Sequence, residues 1–360
     1  MTRTRVALIG AGFIADIHAE SYHRFVPDAE IVCVCARREE HAQAFARKHG
    51  IQRWFTDIDQ AIASECDVVD ICIPNYLHAR TTIAAATAGK HVIIEKPLCL
   101  TLEEADEMIA ACKSRNRKLM YAEELCFAPK YERVRQLVGE GAIGSIYHMR
   151  QCEKHSGPHS DWFYDLNLSG GGALMDMGCH GLAWFRWMLG GKPRAVSVYA
   201  HMQTGLIHKG RTRCDETSLC VVEFEGGAIG VAENSWAKLG GMEDRVEVYG
   251  TGGVIYADLF QGNSALTYSE KGYGYAMEKA GSTQGWTFTM FEEAFNQGYP
   301  HELKHFIACV RDDTQPIVTG EDGRAVLELM NAAYQSARTG QKVTLPFHPK
   351  VSKPIDLWLS

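Results

Sequence analysis

The chain contains no CxxC pair, and its twelve cysteines are scattered rather than clustered. The closest two, Cys33 and Cys35, stand two apart in an apolar run where successive side chains alternate. This excludes a zinc ribbon or a compact disulfide framework and predicts reduced, core-packed thiols in a cytoplasmic protein. A basic excess is also missing: 37 Lys and Arg face 44 Asp and Glu, a net charge of −7. Nucleic acid is therefore not an expected partner. No run approaches the ~18 apolar residues that cross a bilayer, so no membrane partner is expected either. Arg3 and Arg5 before Val6–Ile9 imitate a signal peptide, but Asp16 and His18 interrupt the apolar stretch. Internal repeats and low-complexity segments are absent. What remains is a 360-residue chain, 46% hydrophobic and 22% charged, which suits about two packed domains of roughly 150 residues.

Residues 1–122 alternate short apolar runs with amphipathic stretches. Strands are expected at Arg5–Ile9, Glu30–Ala36, Val68–Ile73, His91–Glu95 and Lys118–Ala122, with helices near 15–25, 39–49, 57–63, 78–88 and 102–115. Continuous apolar strands separated by helices predict parallel βαβ units, hence a doubly wound α/β domain. From residue 123 to 360 the texture changes to consecutive strand-like segments near 146–152, 195–201, 217–224, 228–237, 244–250 and 253–257. Glu225-Gly226-Gly227 reads as a hairpin link. A separate α+β domain with a mostly antiparallel sheet is expected, covered by helices near 174–189, 302–311 and 323–338. Residues 258–300 carry no clear period.

Gly10-Ala11-Gly12-Phe13-Ile14-Ala15 places GxGxxA between the first strand and the first helix. Gly10 permits the tight turn, Gly12 admits a pyrophosphate, Ala15 allows close packing, and the helix start at Phe13 and Ile14 favours negative charge. An NAD site often has Asp or Glu at the tip of the second strand; here Cys35-Ala36-Arg37-Arg38 offers none. Arg37 and Arg38 can instead pair with a 2′-phosphate, so NADP is the expected cofactor, with NAD possible if both arginines merely open a surface helix. Ile73-Pro74-Asn75 ends another strand and is expected to line the cofactor crevice, while His78 can do so or simply start the next helix.

Ile94-Glu95-Lys96-Pro97 ends a buried strand with charge, which needs a partner: either Glu95 itself or a bound ligand. Lys96 can hydrogen-bond a substrate hydroxyl and favour its alkoxide character. Ser169-Gly170-Gly171-Gly172 lets irregular backbone approach a ligand before a helix carrying Asp176 and His180. Those two stand four apart and share a helical face, as a catalytic pair or as an ordinary surface or capping pair. A metal site would need His155 or His159 to join them, and none is expected.

Together these segments resemble the Gfo/Idh/MocA oxidoreductase family, which includes glucose–fructose oxidoreductases and inositol dehydrogenases. The resemblance spans nearly the whole chain through the GAGFIA turn, the EKPL segment, GGGALMDMGCH and the closing Val318–Gly323 to Arg338–Gly340 stretch. It implies a Rossmann domain followed by a domain with a large open-faced sheet. It also implies a catalytic set that maps onto Lys96, Asp176 and His180, reversible oxidation of a secondary alcohol on a sugar, anhydrosugar or cyclic polyol, and cofactor contacts through Gly10, Gly12, Pro74, Asn75, Glu95 and Lys96. His180 would take the hydroxyl proton, Lys96 would polarise the oxygen, and Asp176 would bind substrate or hold the imidazole. A homodimer or homotetramer joined through the open sheet is the implied assembly.

Where many members have His, Asn or Tyr followed by Arg, this chain has Glu123-Glu124. Glu123 can accept from sugar hydroxyls or pair across a domain junction. His155, His159, Asp161 and Trp162 suit a polar ring with an apolar face, and no arginine cluster marks a charged substrate. Two rival readings remain: a glycosidase that oxidises transiently with bound NAD, and a non-enzymatic dinucleotide-binding regulator.

Overall fold

A computed structural model describes residues 3–261, 265–289 and 292–359. The chain divides into two compact units, Met1–Glu124 with Gly298–Leu327, and Leu125–Gln297 with Glu328–Ser360. Sequence reasoning placed everything beyond residue 122 in the second domain, whereas 298–327 clusters with the first. The helix Tyr299–Arg311 buries Leu303, Phe306 and Ile307 and packs on the helix Phe13–Phe25. A helical period reveals that an apolar face exists but not which surface will cover it.

The first unit holds strands β1 (Thr4–Ile9), β2 (Ala29–Cys35), β3 (Trp54–Phe55), β4 (Val68–Ile71), β5 (His91–Glu95) and β6 (Leu119–Ala122). Their order is β3-β2-β1-β4-β5-β6, all parallel. This is the doubly wound arrangement with a topological switch point between β1 and β4, where ligands of such sheets bind. β3 was not expected, because two residues are too short to show a period. Ala15 and Ala19 pack with Leu8, Val34, Phe45 and Cys72 in one buried cluster, so the small residue after the glycines serves helix–sheet contact.

The second unit is built on β7 (Ile146–Lys154), β8 (Ala195–Gln203), β9 (Thr217–Phe224), β10 (Ile229–Ser235), β11 (Glu243–Gly250) and β12 (Gly253–Asp258). A small hairpin, β13 (Ala265–Ser269) with β14 (Gly285–Thr289), occupies the stretch where no period was legible, and β15 (Val343–Thr344) closes the series. The large sheet runs β12-β11-β7-β10-β9-β8-β15 and is antiparallel except for β7 beside β10. Gly226 and Gly227 have φ of +87° and +93°, as the tight β9–β10 turn requires.

One face of this sheet buries Met149, Val198, Cys220, Val222, Ala232 and Val248. The helix Cys179–Met188 lies on it, so close that a side chain on Gly230 would meet Phe185 at 2.5 Å. Register places Tyr199, Leu219 and Tyr256 on the opposite face, and all three are exposed. An unexpected helix, Pro129–Gly139, starts with proline, whose missing N–H costs nothing in a first turn. Among the described residues no helix is long and apolar enough to cross a membrane.

Candidate active site

In the first unit, Gly10 takes φ +125°, and a side chain there would lie 2.1 Å from the Cys72 carbonyl oxygen. Gly12 differs: nothing lies within 4 Å of the place its side chain would occupy. It caps the helix Phe13–Phe25 without any side-chain hydrogen bond. The turn therefore presents backbone N–H groups and empty space together, which fits a pyrophosphate. Phe13 is exposed beside this opening. Arg37 and Arg38 are exposed after β2; Arg38 caps the helix Glu39–Lys48, with its guanidinium 3.1 Å from His41 Nδ1.

Two expected cofactor residues are turned inward. His78 is fully buried, with Nε2 2.7 Å from the Ile73 carbonyl and Nδ1 3.0 Å from that of Pro97. It braces the Ile73-Pro74-Asn75 loop to the Lys96-Pro97 segment rather than lining the crevice. Glu95 is buried as well, and its carboxylate accepts the Lys96 backbone N–H at 3.0 Å. Burial explains both, since a buried polar group must find partners inside the fold. Asn75 and Glu123 are buried, and Lys96 is half-buried at the end of β5. Glu124 accepts the Tyr299 hydroxyl at 3.0 Å.

In the second unit, Asp176 lies on a single π-helical turn, Leu174–Gly178, which leads into the helix Cys179–Met188. π-turns recur at functional sites because they displace side chains from the α-helical rows. His180 opens the following helix and is buried. Each of the three glycines has a requirement within the protein itself. Gly170 is left-handed at φ +81°, a side chain on Gly171 would strike the Tyr334 hydroxyl at 2.2 Å, and one on Gly172 would strike the Asp215 carbonyl oxygen at 2.1 Å.

Asp215 accepts the backbone N–H groups of Gly172 at 2.9 Å and Leu174 at 2.7 Å, and the Tyr334 hydroxyl at 2.8 Å. It thus anchors the start of the segment that bears Asp176 and His180. Burial pushes its carboxyl up to about 6, against the pull of those three donors.

Around Asp176 the unit gathers further polar groups. Trp236 Nε1 donates to Asp176 Oδ2 at 2.8 Å, and His155 Nε2 lies 3.9 Å from the same oxygen. The Gly157 N–H donates to His155 Nδ1 at 3.1 Å, which places the neutral ring's proton on Nε2, toward Asp176. Burial pushes His155 down to about 4, with Asp176 opposing the shift. His159 Nε2 pairs with Glu278 Oε1 at 2.5 Å. Burial pushes the Glu278 carboxyl up, yet the His159 hydrogen bond and charge hold it below its ordinary value.

Lys279 has a left-handed φ of +59° and donates to the Gly157 carbonyl at 2.7 Å; burial lowers its pKa, with Glu278 and Asp176 opposing. Trp162 stacks on Phe163 with centroids 3.8 Å apart, and Phe163 stands edge-on to Trp236. His155 thus faces Asp176 directly, while His159 joins it through Glu278 and Trp162 through Phe163 and Trp236. Trp236, Glu278, Lys279 and Asp215 were not anticipated, because no local motif ties them to Asp176. As for metal ligands, His18, Asp70 and Cys72 offer atoms within 4.8 Å of one another, an arrangement their mutual hydrogen bonds explain.

Comparison with known proteins bears on this arrangement. Residues 4–123 match the oxidoreductase family with an NAD-binding Rossmann fold, and residues 131–256 match the Gfo/Idh/MocA C-terminal domain. Myo-inositol 2-dehydrogenase of Thermotoga maritima is 30% identical over 346 residues, covering 95% of this chain and 98% of that enzyme. D-glucoside 3-dehydrogenase of Escherichia coli is 32% identical over 356 residues, covering 95% and 97% respectively. The crystal structure of GenD2 from gentamicin A biosynthesis, in complex with NAD, has a TM-score of 0.90 at 33% identity, covering 96% of this chain and 97% of that one. With both halves of its sequence and its fold in agreement, the chain belongs to the Gfo/Idh/MocA family of oxidoreductases.

Proposed function

We propose that the protein reversibly oxidises a secondary hydroxyl of a neutral sugar, anhydrosugar or cyclic polyol, using NADP in preference to NAD. The observation that carries this reading is the setting of Asp176, clasped by Trp236 Nε1 at 2.8 Å with His155 and Lys279 nearby, one turn before His180. Polar donors and acceptors beside stacked aromatic rings suit a hydroxylated ring with one apolar face. The named relatives act on such molecules: inositol, D-glucosides and levoglucosan.

His180 accepts the substrate hydroxyl proton, Lys96 stabilises the oxygen as negative charge develops, and Asp176 accepts from a ring hydroxyl. The nicotinamide, when bound, supplies the hydride acceptor. Gly12 and the helix start behind it, which no side chain caps, would hold the pyrophosphate, while Arg37 and Arg38 would attract the 2′-phosphate.

A panel of sugars and polyols read by nicotinamide absorbance, with NADP and NAD separately, tests the reading. Lys96→Ala and His180→Ala should each abolish turnover, with dinucleotide binding intact in His180→Ala. Net hydrolysis without cofactor turnover would favour the glycosidase, and undiminished signalling by inactive variants the regulator; relatives named as dehydrogenases favour neither. Arg37→Ala with Arg38→Ala should lower the preference for NADP, and equal use of NAD by the parent would remove the arginine argument.

The twelve buried thiols suit a reducing, cytoplasmic setting. The exposed sheet face bearing Tyr199, Leu219 and Tyr256, the last 65% exposed, suits a homo-oligomeric interface.

A further inference from the structure

The first unit buries a set of charges that the proposed reaction does not itself use. His18 is fully buried on the helix Phe13–Phe25, whose N-terminus is the glycine turn. Its Nδ1 lies 2.9 Å from Asp70 Oδ2, which also accepts the Tyr22 hydroxyl at 3.0 Å. Its Nε2 lies 3.0 Å from Glu95 Oε1, an ion-pair contact. The other Glu95 oxygen accepts the Lys96 backbone N–H at 3.0 Å. Asp70, His18 and Glu95 therefore form a continuous chain ending on the peptide that carries Lys96. The same imidazole reaches the cofactor turn. Cys72 Sγ is 3.4 Å from His18 Nδ1, and the Cys72 carbonyl is the atom against which Gly10 packs.

Burial disfavours the charged ring, but Cys72 and Asp70 outweigh it and raise the His18 pKa well above its ordinary value. The Cys72 thiol is itself pushed up by burial and by Asp70, with His18 opposing the shift. Glu302, fully buried on the helix Tyr299–Arg311, faces the same group; burial, Glu124 and Glu95 push its carboxyl well up, with His18 opposing. The Tyr299 ring completes the surroundings at 6.1 Å. Such a cluster is costly to bury, and apolar side chains of similar volume often stabilise a core as well or better. Its use must lie in the geometry it enforces.

We propose that His18 is a positioning residue for Lys96, which it orients through Glu95 while tying that segment to the dinucleotide turn. The inference rests on Lys96 acting as proposed above. Parent, Lys96→Ala, His18→Gln, Glu95→Gln and the double variant His18→Gln/Glu95→Gln are compared as full chains, on a substrate identified by the panel. Readouts are kcat, KM, dinucleotide Kd by fluorescence, and thermal midpoint.

A misplacement of about 1 Å costs on the order of 100-fold in rate, so His18→Gln should lower kcat by about 10- to 100-fold. Dinucleotide Kd should stay within about 3-fold, and the double variant should be no worse than the worse single one. A kcat within about 2-fold of the parent, or additive losses in the double variant, overturns the proposal. If His18→Gln does not fold, Glu95→Gln alone decides by the same kcat criterion. Loss of activity in Lys96→Ala with parent-like His18→Gln and Glu95→Gln sinks this inference only. Undiminished kcat in Lys96→Ala sinks the underlying reading and this one with it.

Discussion

Asp215 occupies the space that a side chain on Gly172 would need: its carbonyl oxygen stands 2.1 Å from that position, and its carboxylate accepts the Gly172 N–H at 2.9 Å. The glycine is there because an acid must come close enough to cap the segment bearing Asp176. Gly172→Ala should therefore destabilise the protein by about 1–3 kcal/mol or more through overpacking against backbone. Asp215→Ala should cost a similar amount by removing the acceptor of the Leu174 N–H and the Tyr334 hydroxyl and leaving the Gly172 N–H only its 3.3 Å contact with the Tyr334 oxygen. Urea denaturation of both variants checks this, and parent-like midpoints would refute it.

The two glycines of the dinucleotide turn should respond in opposite ways. Gly10→Ala meets the Cys72 carbonyl at 2.1 Å with φ at +125°, so folding itself should suffer. The Cβ of Gly12→Ala meets no protein atom within 4 Å, so this variant should fold normally. It should nevertheless weaken dinucleotide binding by at least about 10-fold, because the side chain fills the space left for pyrophosphate. Thermal midpoints and fluorescence titration separate the two effects.

His155 and Asp215 should pull the pH dependence of stability in opposite directions. His155, at about 4 in the fold against about 6.5 unfolded, loses stability as pH falls from 6.5 to 4, because the unfolded state takes the proton first. Asp215, at about 6 against an ordinary 3.8, gains stability over much of that window, because the folded state takes the proton first. Each effect amounts to about 3 kcal/mol at most. Relative to the parent, His155→Gln should gain stability as pH falls and Asp215→Asn should lose it. Denaturation at pH 4.5 and 7 measures both differences, and parallel curves would contradict the assignments.

Trp236→Phe keeps an aromatic side chain, though a smaller one, and removes the donor 2.8 Å from Asp176. Hydrogen bonds to charged groups contribute about 1.5–3 kcal/mol, so kcat/KM should fall by about 10- to 100-fold, and the smaller ring in a fully buried position should also lower the thermal midpoint. A parent-like kcat/KM would show that Asp176 does not depend on this bond.

The parallel strands, the glycine turn and the order of the Lys96, Asp176 and His180 segments were legible because each is written locally. Apolar runs recur with a fixed period, and the turn needs glycine at set positions. Short β3, the β13–β14 hairpin and the inward turn of His78 and Glu95 were not legible, for they depend on partners distant in the chain. The triple glycine shows the limit well: its sequence told of close approach, but only the fold reveals Asp215 and Tyr334 as what approaches. Lacking a basic excess, a long apolar run and any CxxC, the sequence by itself determined a two-part oxidoreductase with a dinucleotide turn. Only tertiary structure decided that 298–327 joins the first unit, that Trp236 and His155 surround Asp176, and that His18 links Asp70 to Glu95. Periodicity specifies which faces are buried; packing alone specifies which buried faces and charges meet.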